Sequence, residues 1–195
     1  MIRIAQKVPL LGFCSAGSGA GKTTLLASLI PVLTQHGLRI SAIKHAHHAF
    51  DIDYPGKDSY RLREAGAVQT LLGSRHRWAL MTELARTDYT EQPEPTLAQL
   101  LAHIDTSLAD LVVVEGFKSA FIPKIEVYRA ALNMPLLADD DANIIAIASD
   151  APVASTLPVL DLNNAPVIAQ FIMQWLKKPP DDVKFASSFY ELPAA

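Results

Sequence analysis

Residues 16–24 read AGSGAGKTT, and this glycine-rich stretch separates two sequence patterns of different kinds. Before it, residues 8–13 are mostly apolar and predict a buried β-strand. After it, residues 22–36 place leucine and isoleucine at helical spacing and predict an α-helix. A strand, a glycine-rich turn and a helix in this order form the context of a phosphate-binding P-loop, here with Ala16 in place of the first glycine.

The residue types in the predicted P-loop suit the phosphates of a nucleoside triphosphate bound with Mg²⁺. Its glycines let successive backbone N–H groups turn toward an anion, and the helix N-terminus adds a partial positive charge. Lys22 can reach the β- and γ-phosphates, the Thr23 hydroxyl can ligate Mg²⁺, and Thr24 is placed to contact the α-phosphate. The predicted nucleotide-binding residues of the loop are Gly17, Ser18, Gly19, Ala20, Gly21, Lys22, Thr23 and Thr24.

Apolar runs and helical patterns alternate along the rest of the 195-residue chain. Strands are predicted at 38–43, 67–72, 77–82, 111–114, 125–128 and 144–148, and helices at 58–65, from 96 onward, and at 164–178. This alternation predicts an α/β protein with the three-layer P-loop NTPase fold, a mainly parallel sheet flanked by helices, and a β-hairpin extension. We expect one nucleotide-binding domain over 1–178 and a C-terminal tail over 179–195.

Composition and charge argue against several classes of function. The net charge of −3 and the lack of a Lys/Arg run argue against a nucleic-acid partner. No apolar run approaches the roughly 18 residues that a membrane span needs, and the N-terminus lacks the apolar region of a signal peptide. We therefore expect a cytoplasmic protein without a membrane partner. The single cysteine, Cys14, falls in an apolar run and is expected to be buried and unreactive.

A carboxylate, Glu115, directly follows the apolar run at 111–114. P-loop proteins place a carboxylate at the end of a strand near the loop, where it holds Mg²⁺ through water or polarises the attacking water. Glu115 is therefore predicted as a metal-site residue together with Thr23, and as a catalytic residue together with Lys22. The alternative is an ordinary surface acid at the end of a strand.

A histidine-rich segment follows the strand predicted at 38–43. Residues 43–48 read IKHAHH, at the carboxyl end of that strand. This position predicts a loop that recognises an anionic ligand or acts as a switch. The candidate residues are Lys44, His45, His47, Asp53, Lys57 and Asp58. A metal site and a solvated loop are the alternatives, and Asp58 has the further alternative of capping the helix predicted at 58–65.

Asp150 follows the strand predicted at 144–148. GTP-binding proteins often place an aspartate at the end of a late strand, where it accepts hydrogen bonds from guanine N1 and N2. Adenine offers no matching pair of donors, so Asp150 is the candidate for guanine recognition. The alternative is a turn aspartate before the Ala-Pro pair at 151–152.

Four sequence blocks together resemble one family of P-loop proteins. They read GSGAGKTTLL at 17–26, IKHAHH at 43–48 with DYPGKDS at 53–59, RWALMTE at 77–83 and VVEGFK at 113–118. Many families share the P-loop, whereas the histidine block with DYPGKDS and the VVEGFK block are much more specific. On these residues the chain resembles the MobB family of molybdopterin-guanine dinucleotide biosynthesis accessory proteins.

The resemblance implies a GTP-binding homodimer that uses GTP and Mg²⁺ and hydrolyses GTP weakly. It also implies an accessory role beside a MobA-like guanylyltransferase, the enzyme that joins GMP to molybdopterin. Whether molybdopterin contacts this chain is left open. The residues that the resemblance assigns to phosphate and Mg²⁺ are Gly19, Gly21, Lys22 and Thr23, with Glu115 as their acidic partner.

The predicted hairpin is a candidate for the dimer surface. Its apolar residues are Leu71, Trp78, Leu80 and Met81. An edge strand is a template for pairing with a second chain, so these residues could cover each other in a dimer. The alternative is that they belong to the core.

Three other hypotheses remain. A small-molecule or nucleoside kinase would need an arginine-bearing lid over the phosphates, for which the loop 86–95 offers only Arg86. A metallochaperone-type GTPase would bind metal through the three histidines of 43–48. A scaffold with an inactive P-loop is disfavoured, because the loop retains its lysine and its threonine.

Overall fold

The computed structural model describes residues 8–46, 50–87 and 94–177. These residues belong to two compact units. The larger unit comprises the described parts of Met1–His45 and Leu97–Ala195, and the smaller unit comprises those of Ala46–Thr96. The predicted tail and two of the three histidines of 43–48, His47 and His48, lie outside the described residues. The expectation of one domain over 1–178 stays a prediction.

The helices and strands lie where the sequence patterns place them, with bounds that differ by at most three residues. In chain order they are Leu10–Cys14 (β1), Lys22–Gln35 (α1), Ile40–Lys44 (β2), Asp58–Glu64 (α2), Gln69–Gly73 (β3), Trp78–Thr82 (β4), Leu97–Leu101 (α3), Leu111–Glu115 (β5), Lys124–Tyr128 (β6), Ile144–Ser149 (β7), Val159–Asp161 (β8) and Ala165–Trp175 (α4). Only β8 among these is without a predicted counterpart.

Six strands of the larger unit form a parallel sheet in the order β2-β5-β1-β6-β7-β8. Strand β1 lies between β5 and β6, so the segments that follow these three strands meet at the carboxyl edge of the sheet. Ligands of parallel α/β sheets bind at this edge. The topology therefore brings the P-loop after β1 beside the residues that follow β5 and β6.

Side chains alternate between the two faces of the sheet and give the three predicted layers. On β1, Leu11 and Phe13 join the core cluster that contains α1 and α4, whereas Leu10 joins the cluster that contains α3. All five residues of β1 are buried. A central parallel strand covered by helices on both faces is expected to be apolar throughout, which explains why β1 reads as a continuous apolar run.

Strand β6 departs from this rule because it buries two charged side chains, Lys124 and Glu126, each 1% exposed. Lys124 Nζ pairs with Asp141 Oδ2 at 2.6 Å and donates to the carbonyl oxygens of Lys118 and Ala120 at 2.9 and 2.6 Å. The Glu126 carboxylate accepts from two backbone N–H groups of the turn at 137–138, and burial raises its pKa. Buried charges are tolerated because each has partners of this kind.

The smaller unit contains α2 and the predicted hairpin, in which β3 and β4 pair antiparallel. The Arg86 guanidinium donates to the carbonyl oxygens of Arg63 and Ala67 at 2.6 and 2.9 Å. Among the hairpin's apolar residues, Leu71, Trp78 and Leu80 are 66%, 69% and 43% exposed. These three therefore do not belong to a core formed by the described residues.

Candidate phosphate-binding site

The P-loop connects β1 to α1 at the carboxyl edge of the sheet. Helix α1 begins at Lys22, and Gly21 directly before it has φ +95°. A Cβ atom at position 21 would lie 3.2 Å from a guanidinium nitrogen of Arg129, so backbone conformation and space both favour glycine. The first backbone N–H groups of α1, which have no partner within the helix, are available to an anion at the loop.

The lysine of the P-loop lies against the backbone of its own loop. Lys22 Nζ donates to Ser15 Oγ at 2.6 Å and lies 3.5 Å from the carbonyl oxygen of Gly17. Ser15 Oγ in turn donates to the same carbonyl oxygen at 2.6 Å. Ser15 was not predicted as a site residue, because the P-loop pattern does not specify a side chain at that position.

Thr23, Glu115 and Lys44 converge beside the loop. Thr23 Oγ1 donates to Glu115 Oε1 at 2.5 Å, and Lys44 Nζ lies 3.0 Å from Thr23 Oγ1 and 3.1 Å from Glu115 Oε1. The sheet sets this arrangement, because Glu115 ends β5 and pairs in register with Lys44 at the end of β2. The Glu115 side chain is 12% exposed and that of Lys44 is 57% exposed.

The oxygens of Thr23 and Glu115 fit Mg²⁺. This cation prefers hydroxyl, carboxylate and water oxygens at about 2.0–2.1 Å in octahedral geometry. The hydroxyl can bind it directly, and the carboxylate can bind it directly or through water. The structure therefore brings together the two residues that the sequence predicts for a metal site. These residues are 92 positions apart in the chain.

The two residues after Glu115 hold an unusual backbone conformation. Gly116 has φ +99° and Phe117 has φ +49°, in the left-handed region that costs a side-chain-bearing residue about 1–3 kcal/mol. The Phe117 ring stacks on His45 with centroids 4.4 Å apart, and the His45 N–H donates to the Glu115 carbonyl oxygen at 2.9 Å. A Cβ atom at position 116 would lie 2.9 Å from His45 Cβ, so His45 is fixed against this turn.

Arg129 is a site residue that the sequence analysis did not single out. Its Nε lies 3.4 Å from the carbonyl oxygen of Ala20 in the P-loop, and its Nη1 lies 3.2 Å from Asp150 Oδ2. Asp150 Oδ1 also accepts from the Ala130 N–H at 2.9 Å. Arg129 directly follows β6, so the rule that ligands bind at the carboxyl ends of strands, applied to every strand, would have found it.

A shallow, open recess lies between the P-loop and the segment that follows β6. The loop contributes Ser15, Ala16, Gly17 and Ala20 to its lining, and the segment contributes Arg129, Leu132 and Met134. Arg129 therefore borders both the loop and this recess.

The other described candidates of the histidine-rich segment, Asp53, Lys57 and Asp58, lie in the smaller unit. Asp53 Oδ1 accepts from the Tyr54 N–H and from Ser59 Oγ, both at 3.0 Å. The alternative role of Asp58 as the cap of its helix is wrong, because Lys57 occupies the N-cap position and Asp58 is the first helical residue. The Asp58 side chain is 97% exposed. The predicted ligand or switch role of these residues stays a prediction.

Three further observations bear on the sequence predictions. Within 8–46, 50–87 and 94–177, no group of three or more His, Cys, Asp or Glu side chains could hold a metal ion. Among the helices that the structure describes, none is long and apolar enough to cross a membrane. The thiol of Cys14 is 1% exposed, and burial raises its pKa to about 12, which confirms the expected buried cysteine.

A parallel sheet with a P-loop after its central strand, and a carboxylate at the end of the neighbouring strand, defines the class of P-loop nucleotide-binding folds. Comparison with protein families then identifies the branch. Residues 10–150 match the family model MobB, described as "Molybdopterin guanine dinucleotide synthesis protein B". The chain belongs to this family.

Full-length relatives and solved structures agree with this assignment. The chain is 46% identical over 172 residues to the molybdopterin-guanine dinucleotide biosynthesis adapter protein of Escherichia coli (strain K12), covering 88% of this chain and 95% of that protein. It is 43% identical over 177 residues to the Haemophilus influenzae protein of the same name, covering 90% and 94%. A crystal structure of molybdopterin-guanine biosynthesis protein B matches the fold with a TM-score of 0.66 at 24% identity, covering 87% of this chain and 99% of that one.

Proposed function

We propose that this protein is a GTP-binding adapter in the biosynthesis of molybdopterin guanine dinucleotide. The observation that carries the proposal is the convergence of Lys22, Thr23 and Glu115 at the carboxyl edge of the sheet. These are the groups that hold the phosphates and Mg²⁺ of a nucleoside triphosphate. The relatives from Escherichia coli and Haemophilus influenzae are named adapter proteins of molybdopterin-guanine dinucleotide biosynthesis, and the proposed role is taken from these names.

In the proposed complex, the P-loop backbone and Lys22 bind the β- and γ-phosphates. Thr23 would ligate Mg²⁺, and Glu115 would hold a water of its coordination shell. When bound, the cation neutralises negative charge on the phosphate oxygens. Ser15 positions Lys22 at the loop, which keeps the ammonium at the place where the phosphates would lie.

Weak hydrolysis is the activity we expect from this arrangement. Fast GTP hydrolysis requires a residue that orients the attacking water and a cation that stabilises charge at the γ-phosphate. The Glu115 carboxylate lies 2.5 Å from the Thr23 hydroxyl, so it would hold a water of the cation's shell rather than orient the attacking water. The protein would therefore act mainly by binding GTP.

Arg129 and Asp150 are proposed to contact the nucleoside side of the ligand. Arg129 lies 3.4 Å from the Ala20 carbonyl oxygen of the P-loop, and Asp150 lies 3.2 Å from Arg129. Each carboxylate oxygen can accept two hydrogen bonds, so Asp150 can bind guanine N1 and N2 while it keeps its protein donors. The Arg129 guanidinium adds a positive charge near the phosphates.

A homodimer formed through the hairpin is part of the proposal, together with a MobA-like guanylyltransferase as partner and a cytoplasmic location. The exposed side chains of Leu71, Trp78 and Leu80 support the dimer, because two copies would remove this apolar surface from water. No observation in the described residues favours the kinase or the metallochaperone hypothesis over the adapter hypothesis.

The first test is equilibrium binding of GTP and ATP in the presence of Mg²⁺. We expect GTP to bind at least about tenfold more tightly than ATP, which is about 1.4 kcal/mol, and Lys22→Ala to abolish binding of both. Lys177→Ala, which removes an exposed lysine near the end of α4, is the matched control and should leave affinity unchanged. Equal affinity for ATP would refute guanine specificity, and unchanged binding by the Lys22 variant would refute the assigned site.

The adapter role has a separate test. A guanylyltransferase makes molybdopterin guanine dinucleotide in three reactions, and the yield of each is measured. One contains the wild-type protein, one contains Lys22→Ala, and one contains the guanylyltransferase without this protein. We expect wild-type protein to raise the yield and the variant not to. An equal yield in all three reactions would show that the chain does not act in this step.

A further inference from the structure

The ammonium group of Lys44 lies at the position where a cation would bind Thr23 and Glu115. It is 3.0 Å from Thr23 Oγ1 and 3.1 Å from Glu115 Oε1, and these two oxygens are 2.5 Å apart. The Thr23 hydroxyl donates its hydrogen to Glu115 and accepts from Lys44. The two oxygens are therefore already engaged by one positive charge.

Mg²⁺ and the ammonium cannot both hold these oxygens at the observed positions without strong repulsion. A Mg²⁺ ion bound to Thr23 Oγ1 at about 2.1 Å would lie within about 5 Å of Lys44 Nζ, because both contact the same oxygen. Glu115 Oε1 accepts from both Thr23 and Lys44, which fills its two lone-pair directions. Direct binding of the cation thus requires the ammonium to leave.

Lys44 is able to leave without a change in the fold. Its side chain is 57% exposed and unbranched, while its backbone is held in register with Glu115 by the pairing of β2 with β5. A displaced ammonium on a flexible four-carbon stem would find the γ-phosphate as its nearest anionic partner. Thr23 itself belongs to the phosphate-binding loop at 16–24, so the distance is short.

We propose that Lys44 is a built-in cation that competes with Mg²⁺ for Thr23 and Glu115. The inference rests on the proposed function, because it assumes that these two residues hold Mg²⁺. Lys44 neutralises Glu115 before the nucleotide binds, and it moves to the phosphates when the nucleotide brings the metal. The site therefore binds the divalent cation weakly by itself and strongly together with the nucleotide.

The test uses Mn²⁺, a paramagnetic substitute for Mg²⁺. Its binding to the full chain without nucleotide is measured by electron paramagnetic resonance. Lys44→Met should bind Mn²⁺ about tenfold more tightly than wild type, because it removes the competing charge. Lys44→Gln, which keeps a hydrogen-bonding group but not the charge, should show the same gain. Lys118→Met, which removes an exposed lysine three positions after Glu115, is the control and should show less than about a twofold change.

A double variant locates the metal. Combining Lys44→Met with Glu115→Gln should cancel the gain, because the carboxylate that receives the cation is gone. A gain that persists in the double variant, or Mn²⁺ affinity that is equal in Lys44→Met and wild type, would overturn the proposal. If wild-type protein did not bind Mg-GTP, the proposed function would be refuted instead. The two failures are therefore distinguishable.

Discussion

Gly12 in the centre of β1 is a position where a single methyl group should destabilise the larger unit. A Cβ atom there would lie 2.7 Å from Lys124 Cγ and 3.2 Å from Ile122 Cδ1. Lys124 cannot move away easily, because it is 1% exposed and its ammonium pairs with Asp141 at 2.6 Å. Gly12→Ala must therefore displace a buried lysine that is fixed at both ends.

The size of the effect follows from two contributions. Inserting a methyl group into a filled core costs about 1–3 kcal/mol. A partly broken hydrogen bond to a buried charged group adds about 1 kcal/mol. We expect Gly12→Ala to lower the free energy of unfolding by about 2–4 kcal/mol, and the melting temperature by about 5–15 °C for a chain of this length.

Urea and thermal unfolding followed by circular dichroism measure this loss. Gly73→Ala is the control, because it also lies in a strand but a Cβ atom there has no neighbour within 4 Å. We expect the control to change the free energy of unfolding by less than about 0.5 kcal/mol. If Gly12→Ala were as stable as Gly73→Ala, the argument that buried Lys124 requires glycine at position 12 would be refuted.

Three further predictions concern the base, the hairpin and an exposed ion pair. Asp150→Asn should weaken GTP binding about tenfold or more and improve binding of xanthosine triphosphate, because the C2 carbonyl of xanthine accepts a hydrogen bond from an amide. If the variant bound neither nucleotide, the role of Asp150 would be to hold Arg129. Trp78→Ser should shift the protein toward monomer in sedimentation velocity. Phe121→Ser, which alters a similarly exposed aromatic residue of the larger unit, should not. If both variants were dimers, the interface would lie elsewhere. The Arg39 guanidinium, 2.7 Å away, lowers the pKa of Asp110 from 3.8 to about 2, so its contribution to stability is complete above about pH 4 and is lost as the pH falls toward 2. Urea unfolding should therefore show wild type to be more stable than Asp110→Asn at pH 7, with a difference that shrinks as the pH falls from about 4 to 2. A constant difference across this range would contradict the pairing.

The sequence predicts the elements whose signals are local. The P-loop between a buried strand and a helix needs only adjacent residues, and the apolar run of β5 is typical of a central parallel strand. Strand β8 was missed because three residues at the edge of the sheet carry no periodic pattern. The burial of Lys124 and Glu126 in β6 was also not foreseen, since their partners come from distant turns.

The residues of the candidate site also divide into those with a local sequence signal and those without one. Lys22, Thr23 and Glu115 were predicted because a motif or a strand end marks each of them. Arg129 was missed although it directly follows a predicted strand, and its contact with the P-loop depends on the strand order, which puts β6 next to β1. The contact of Lys44 with Thr23 and Glu115 depends in the same way on the pairing of β2 with β5.

The chain has one cysteine, and its thiol is buried at the end of the central strand β1 with a pKa of about 12. At neutral pH it carries almost no thiolate, so maleimide and iodoacetamide reagents should leave it unmodified. A cysteine introduced on the exposed hairpin would then be the one reactive thiol of the folded protein. A single fluorophore or spin label can therefore be attached there without first replacing Cys14, and distances between labels on two copies would test the proposed homodimer.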